Sequence, residues 1–551
     1  MKKIFISIFL LLSICQINAK EIVVYHTSDI HGHYFGREDK QGRDFGGFAR
    51  LYNVLKNTPQ QFILLDSGDF SSGSYEANLS GGKYSINLMN KMGYAATTIG
   101  NHDSDFGDEG MGEMLKDFNG DVLAMNLSNL NIPGKRVKTR AVYNVDGIKV
   151  GVIGVAMDGY GLERMKIANT VSTQDFENEI SALKENGAQV IIILAHDSML
   201  ADNNISVDKR TRVLGPLLNT PSLEDVSLLL GGHAHTQTLV GKISASENRG
   251  PWILESAPYL ESVSKIVISQ DEQTGKITVH KPEFIALYGA EDQEIKDYLD
   301  SIRVMELDDT LYAHVPKLIT KYPAPDQQDR APGVARMMAD QMYKKISDFE
   351  KIDLTAFSLN STRSDYNPGD LTGRYFAEMT PYEEHSGTFD IGGEHLLRAM
   401  LESIGFRDGK CFSVYGYSKN VHIIFSCNNG NPELKRVTID GKIVDPGKTY
   451  RMGMLTHLPR GFYEGKPFQI MPSDAIDDGS VIKHYRDITS ADMLFGIIEQ
   501  KREEQGTTVP EFTAPKDVQI EQISDNANVL ADKIDMDDLR TRINMLLKKG
   551  L

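Results

Sequence analysis

Apolar runs in the first half of this chain end, again and again, in residues that bind metals. Ile22-Val23-Val24-Tyr25 leads into His26-Thr27-Ser28-Asp29-Ile30-His31-Gly32-His33. Phe62–Leu65 leads into Asp66-Ser67-Gly68-Asp69, and Ala95–Ile99 into Gly100-Asn101-His102-Asp103-Ser104-Asp105. Val190–Leu194 runs into Ala195-His196-Asp197, and Val226–Leu230 into Gly231-Gly232-His233-Ala234-His235. Short continuous apolar runs alternating with helical patterns read as strands of a sheet covered on both faces. In an open α/β sheet, ligands bind at the carboxyl ends of the strands. The pattern therefore gathers these imidazoles, carboxylates and one amide on a single edge.

In an extended segment, residues i and i+2 point to the same side. Asp29 and His31 can then reach one point, as can His233 and His235. Mixed imidazole and carboxylate donors suit zinc, manganese or iron rather than calcium or magnesium. Asp29, His31, Asp69, Asn101, His196, His233 and His235 exceed what one catalytic ion with an open position takes. They suit two ions about 3.5–4 Å apart sharing a carboxylate. Asp69, on a tight turn after a buried strand, is the natural bridge. His102 is the general acid or charge stabiliser for a leaving oxygen, with Asp105 orienting it; the alternative makes His102 a further ligand or a structural donor. His26 and His33 read as supporting or surface residues, with His33 the nearer to entering the site.

Jointly these blocks resemble the calcineurin-like metallophosphatase signature. Over most of its length the chain is similar to the 5′-nucleotidase and UDP-sugar hydrolase family of secreted bimetallic phosphatases. The resemblance implies an α/β fold, with an N-terminal calcineurin-like β-sandwich flanked by helices and a smaller C-terminal α/β 5′-nucleotidase domain. It implies that Asp29, His31, Asp69 and His235 hold one ion, and Asp69, Asn101, His196 and His233 the other. Zinc or manganese is expected, and iron also fits. Many family members have Gln at the His235 position, and Asp103 stands where Glu is frequent. The implied reaction is hydrolysis of a nucleoside 5′-phosphate to nucleoside and phosphate through a metal-activated hydroxide.

The second half departs from the family in places. Asp353-Leu354-Thr355-Ala356-Phe357-Ser358-Leu359-Asn360-Ser361-Thr362-Arg363 aligns with a block that ends in Asn, several Gly, an aliphatic residue and Arg. Arg363 survives as the phosphate clamp that the resemblance implies, with a surface ion pair as its plain alternative. The Asn is Ser358, and the glycines are Leu359, Asn360 and Ser361. Gly369–Thr372, Thr380-Pro381-Tyr382 and Tyr450-Arg451-Met452 fit. After Thr456 the family expects an aromatic residue and then Gly-Gly-Asp-Gly-Tyr, and here His457 and Tyr463 stand as base contacts. Phe412 lies where a base-stacking aromatic falls and equally suits a core. These changes keep two other readings open: a phosphodiesterase or general phosphomonoesterase, and, from another class, a metal-retaining protein without turnover. Intact His102 and Asp105 argue against the last.

At 551 residues the chain exceeds one core. Residues 1–19 read as a signal peptide: a basic Met1-Lys2-Lys3, an apolar Ile4–Ile14 too short to span a bilayer, and Ala19 at the cleavage point. Simple cleavage makes the protein secreted or periplasmic; lipid attachment through Cys15 is the minor alternative. Residues 20–290 form the metallophosphatase domain, 291–329 a linking helix region, 330–514 the C-terminal substrate-binding domain, and 515–551 a tail. That tail carries an amphipathic helix with Leu539, Ile543, Leu546 and Leu547 on one face, which docks on the body or on a partner. Cys411 and Cys427 form either a disulfide or two free buried thiols. No later run is long enough for a transmembrane helix. The net charge of −17 argues against binding a nucleic-acid duplex and leaves a small phosphorylated substrate, a nucleotide by resemblance. The sequence leaves the oligomeric state open.

Overall fold

A computed structural model describes residues 19–39, 41–127, 130–157, 171–197, 217, 220–244, 249–323, 327–363, 365–382, 384–407, 409–456, 462–463, 466–467 and 483–524. The chain divides into two compact units, Met1–Ser72 with Ala77–Ser301, and Gly73–Glu76 with Ile302–Leu551. The signal segment, Cys15 and the tail helix lie outside the described residues.

The first unit is a sandwich of two sheets. Its strands and helices include β1 (Ala19–Thr27), α1 (Phe48–Lys56), β2 (Gln61–Asp66), α2 (Lys83–Met92), β3 (Ala96–Thr97), β4 (Asp121–Val122), β5 (Arg140–Val145), β6 (Ile148–Val155), α3 (Thr173–Glu185), β7 (Val190–Ala195), β8 (Leu228–Gly231), β9 (Thr238–Ser244), β10 (Arg249–Glu255), β11 (Ser262–Asp271), β12 (Ile277–Val279), β13 (Glu283–Ala286) and α4 (Gln293–Ile302). One sheet runs β12-β11-β1-β2-β3-β4, with β13 also paired to β11. The other runs β9-β10-β8-β7-β6-β5. The central neighbours β1–β2, β6–β7 and β7–β8 are parallel, so the strands that end in candidate ligands finish on the same edge of their sheets.

Strand alternation explains why the runs are apolar throughout. Along β7, Val190, Ile192 and Leu194 point into the core between the sheets, where they meet Ile22, Val24, Ile63 and Leu65. Ile191 and Ile193 point the other way, toward Phe176, Ile180 and Leu183 of α3. Those three helix residues lie at helical spacing on one face. The helix starts at a capping box in which Ser172 and Asp175 each accept the other's backbone N–H. The run Ala95–Ile99 pairs as a strand only over Ala96–Thr97. Beyond Thr97 the chain turns toward Gly100, whose N–H bonds a side chain rather than a neighbouring strand.

The second unit is described by itself. Its elements include α5 (Gly333–Ser347), β14 (Leu354–Ser358), β15 (His385–Gly392), α6 (Gly393–Glu402), β16 (Lys410–Ser413), β17 (Tyr415–Tyr417), β18 (Val421–Asn428), β19 (Asn431–Ile439), β20 (Lys442–Ile443), β21 (Thr449–Leu455), β22 (Lys483–Thr489), α7 (Ser490–Gln505) and β23 (Ile520–Ile523). One sheet runs β17-β14-β21-β15-β22, and a second runs β20-β19-β18-β23. Ala335, Met338, Met342 and Ile346 of α5 are buried in the core of this unit with Ala356 and Met452. A capping box at Thr489 and Asp492 opens α7, and left-handed Gly506 closes it.

Cys411 on β16 and Cys427 on β18 are joined as a disulfide, the first of the two readings of the sequence. The bridge closes a loop of sequence separation 16. Replacing both cysteines with serine is expected to cost about 3 kcal/mol of stability in the second unit. Denaturant unfolding with and without reductant checks this, and wild type under reductant should match the variant. A second prediction concerns Asp340 on α5, which accepts the Lys419 backbone N–H. Burial pushes its carboxyl up from 3.8 to about 6, against the pull of that hydrogen bond and of Arg336. The folded state thus holds the proton more tightly than the unfolded chain, and stability falls as pH rises from about 4 to about 6. Asp340→Asn is expected to be more stable than wild type by about 2 kcal/mol at pH 8, with the gap closing by pH 4. Urea midpoints across that range test it.

Candidate metal centre

At the strand ends of the first unit, donor atoms of Asp29, His31, Asp69 and His235 lie within 4.8 Å of one another. Those of Asp69, His196 and His233 do the same, so the two groups share Asp69. Asn101 adds its amide, with Oδ1 3.1 Å from His233 Nδ1. Every residue singled out in the first half of the sequence as a ligand is thus brought to one place. Asp29, His31, Asp69 and His196 are buried, while Asn101, His233 and His235 are part-exposed. The site therefore has a closed floor and an open side.

The ligands do not converge through extended backbone. Asp29, His31, Asp69, His233 and His235 all have positive φ, between 49° and 77°. The pair Asp29/His31 does meet in one donor group, but through left-handed turns, whereas His233 and His235, expected to reach one point, fall in different groups: His235 with Asp29 and His31, His233 with His196. Extended chain would carry their side chains onward past the sheet edge, and each left-handed residue folds it back. For non-glycine residues this conformation costs about 1–3 kcal/mol each, so the surroundings must enforce it. They do so with backbone hydrogen bonds between loops: Asp29 N to Gly68 O at 3.0 Å, and His31 N to Asp69 O at 2.8 Å. His233 N donates to Asp29 Oδ1 at 2.9 Å.

Two glycines let the loops approach. A Cβ on Gly68, whose φ is +89°, would sit 2.5 Å from Gly100 N. One on Gly100 would sit 2.1 Å from Asp69 Oδ1. Backbone meets backbone here, and no side chain fits between.

Asp103 is the residue that the sequence argument missed, having been read there only as a stand-in for Glu. Its buried carboxylate accepts from Asp69 N (2.9 Å), Phe70 N (3.1 Å), Ser71 N (3.1 Å), Ser71 Oγ (2.7 Å) and Gly100 N (2.9 Å). It locks the Asp69 loop to the Asn101 loop. Burial pushes Asp103 up to about 7, the Asp69 charge adds to this, and the bonds from Ser71 and Gly100 oppose it. The only sequence signal was a second carboxylate close after Gly-Asn. Asp66 braces the same region, accepting from Thr27 Oγ1, Gly68 N and Thr97 Oγ1.

The arrangement fits cations. His31 Nδ1 faces the Ser72 carbonyl at 2.9 Å, and His196 Nδ1 faces the Ser67 carbonyl at 2.7 Å. A carbonyl only accepts, so both Nδ1 atoms carry protons and each neutral ring offers a lone pair at Nε2. His31 Nε2 lies 2.9 Å from His235 Nε2, and His196 Nε2 lies 3.1 Å from Asp69 Oδ2. His196 Nε2 and Asp69 Oδ2 are buried with no hydrogen-bond partner. Two facing lone pairs repel; a proton on one partner, as when His235 Nε2–H donates to His31 Nε2, or a cation between them removes the conflict. The electrostatics agree. Burial opposes a charged His196 ring, yet Asp69 and Asp29 outweigh it and raise the ring to about 10. Burial likewise opposes the Asp69 charge, but His196, His102 and His31 hold it well below its ordinary range. Burial pushes Asp29 up to about 6, with Asp69 adding and His196 opposing.

His102 Nδ1 lies 2.9 Å from Asp105 Oδ2, which also accepts from Ser72 Oγ at 2.6 Å. His102 is part-exposed on the open side, 22% accessible, and belongs to neither donor group. His26 is buried, with Nε2 on Ser67 Oγ and Nδ1 on Ser256 Oγ, and burial drives its ring down to about 3, hence neutral. His33 packs against Tyr259 with the rings tilted and their centroids 4.3 Å apart, and is in neither donor group.

In the second unit, the Arg363 guanidinium stacks on the Tyr382 ring at 4.1 Å. Phe412 lies in the core of that unit, 5% exposed, edge-on to Tyr322. His457 lies outside the described residues, and Tyr463 is placed only as part of the short strand Phe462–Tyr463.

A family model described as calcineurin-like phosphoesterase matches residues 22–237, and one described as 5′-nucleotidase, C-terminal domain, matches residues 313–466. Protein 5NUC of Lutzomyia longipalpis is 27% identical over 247 residues, which is 40% of this chain and 40% of that one. The 5′-nucleotidase of Bos taurus is 22% identical over 517 residues, 84% of this chain and 86% of that protein. The crystal structure of a 5′-nucleotidase precursor from Thermus thermophilus superposes with a TM-score of 0.71 at 18% identity, covering 92% of this chain and 100% of that one. That likeness shows the fold.

Asp103→Ala is expected to destabilise the metal-free first unit by about 3 kcal/mol or more, because several buried donors lose their acceptor together. Denaturant unfolding with chelator present measures it. A loss below about 1 kcal/mol would mean that the loops hold without Asp103.

Proposed function

The chain belongs to the calcineurin-like phosphoesterases that carry a 5′-nucleotidase C-terminal domain, a family of hydrolases, and on that premise we propose that it releases phosphate from nucleoside 5′-phosphates with two divalent ions. The observation that carries the reading is the pair of donor groups joined at Asp69, with the His102–Asp105 pair beside them on the open side. In this reading Asp29, His31, Asp69 and His235 hold one ion, and Asp69, Asn101, His196 and His233 the other. The donor set suits zinc or manganese, and iron also fits. Such ions supply Lewis acidity to the phosphoryl group and to the attacking water.

The remaining chemistry belongs to the chain's own side chains. Asp105 accepts the hydrogen bond from His102 Nδ1–H and orients the ring. His102 then hands the proton on Nε2 to the leaving oxygen. Ser72 holds both parts of the site in register, its hydroxyl on Asp105 and its carbonyl on His31. Arg363, packed over the Tyr382 ring, is the phosphate clamp that the family resemblance implies. The basic start, the apolar run and Ala19 direct the protein to secretion, and the Cys411–Cys427 bridge suits an oxidising compartment. Among the described residues no helix is long and apolar enough to cross a membrane.

The test is phosphate release by metal-loaded protein from nucleoside 5′-monophosphates, UDP-glucose, a cyclic nucleotide and p-nitrophenyl phosphate. Nucleoside 5′-monophosphates are expected to be preferred, and Asp69→Ala to abolish turnover on every substrate. Turnover confined to the generic ester or a diester would overturn the nucleotidase reading in favour of a general phosphoesterase. That rival draws on Ser358 standing where an Asn is expected. Loss of turnover in His102→Ala with metal content unchanged is expected for the proton donor, and loss of metal along with turnover would make His102 a ligand.

A further inference from the structure

We propose that Tyr259 is a positioning residue of the metal centre: its hydroxyl holds His235 so that Nε2 faces the ion shared with Asp29, His31 and Asp69. The proposal rests on the two-ion reading above. Tyr259 lies far from His235 in any sequence motif, yet its Oη is 3.0 Å from His235 Nδ1. Its ring packs at 5.9 Å from that of His31 and 5.3 Å from that of His235.

The buried imidazoles His31 and His196 are each oriented by a backbone carbonyl on Nδ1. His235 is oriented by a side chain instead. A tyrosine hydroxyl both donates and accepts, so it does not fix the tautomer by itself. With a cation at Nε2, the Nδ1 proton is donated to Tyr259 Oη. Without one, the hydroxyl can donate to Nδ1 and leave a proton on Nε2. An outer hydrogen bond of this kind fixes ring orientation and strengthens the ligand.

The chain goes to some length to place this side chain. Tyr259 and Leu260 are both left-handed, at φ 59° and 52°. Two consecutive non-glycine residues in that region are costly. The Tyr259 N–H is tied to the Asp29 carbonyl at 2.8 Å, directly behind a ligand. Its ring is flanked by His33 at 4.3 Å and by the Arg37 guanidinium at 5.4 Å, and Arg37 pairs with Glu261. Leu260 is 1% exposed and anchors the turn in the core. A bend alone needs none of this, and glycine or asparagine would form it with less strain. What the tyrosine adds is the hydroxyl on His235.

The experiment is metal content and metal affinity of the full chain in four forms: wild type, Tyr259→Phe, His235→Ala and the double variant, loaded with zinc and titrated with a competing chelator. The melting temperature of the metal-free forms is measured alongside. Phenylalanine keeps the ring and its packing and removes only the hydroxyl. Wild type is expected to hold two ions. Tyr259→Phe is expected to weaken one of the two by about 10- to 100-fold and leave the other unchanged. His235→Ala should weaken the same ion, and adding Tyr259→Phe to it should change nothing further. Equal affinities in Tyr259→Phe and wild type would overturn the proposal. So would a loss that weakens both ions alike, or one that persists in full on the His235→Ala background, because either is what a packing role gives. A fall in the metal-free melting temperature alone does not rescue it, since the double variant still decides. Wild type that holds no metal would overturn the two-ion reading itself, a result distinct from two ions held equally well without the hydroxyl.

Discussion

Too many lone pairs meet around Asp69. His196 Nε2 lies 3.1 Å from its Oδ2, and His31 Nε2 lies 3.6 Å from the same oxygen and 2.9 Å from His235 Nε2. Each of these atoms repels its neighbours unless positive charge lies between them. Protons serve that purpose in part, which is why His196 is pulled up to about 10 despite complete burial. A divalent ion serves it better, because one ion engages several lone pairs at once, and it must displace those protons to bind. Left to relax, the side chains would rotate apart. The scaffold therefore has to hold an unfavourable arrangement in advance of its ligand.

It does so by making rotation and backbone relaxation costly. The Nδ1 atoms of His31 and His196 are fastened to carbonyls, so neither ring can turn without leaving a buried N–H unpaired. The turns that aim the ligands are left-handed at Asp29, His31, Asp69, His233 and His235. Strain of that size persists only when the surroundings over-determine it. Here the sandwich core supplies rigidity beneath the strand ends, and Asp103 supplies it between the loops. Gly68 and Gly100 make that junction close enough for a single carboxylate to bind both sides.

The parts legible in the sequence were those specified by composition over several residues or by side-chain chemistry. Continuous runs such as Val190–Leu194 announced strands with two covered faces, and the core confirms which residues face which side. Asp29, His31, Asp69, Asn101, His196, His233 and His235 announced a polar cluster by their types and by the strand before each. The rest depended on geometry that no short pattern encodes. Spacing of i, i+2 paired Asp29 with His31 correctly but through the wrong backbone, and it wrongly paired His233 with His235, because left-handed conformation in a non-glycine residue leaves no compositional mark. Asp103 looked like a conservative replacement, since its role lies in backbone N–H groups that every residue has. Tyr259 carried no signal, because its contacts are made by tertiary folding alone. Phe412 could be either a base contact or core by sequence, and its 5% exposure places it in the core.

All the donor residues of the site, together with Ser67, Ser72, Asp103 and Tyr259, belong to the first unit. The candidate metal centre is thus specified by one body of the protein, and its geometry is over-determined there. In the proposed reaction nothing at that centre distinguishes a nucleotide from another ester, because metal ions and a proton donor would act on the phosphoryl group common to both. Selectivity must come from contacts to the rest of the substrate. Beside the single replacements at Asp103 and His235 in the first half, the longer departures from the family pattern, Ser358 with Leu359–Ser361 and the stretch after Thr456, fall in the second half of the chain. Those positions lie outside the donor set around Asp69, so change at them leaves that set in place, and reaction type need not change with substrate choice.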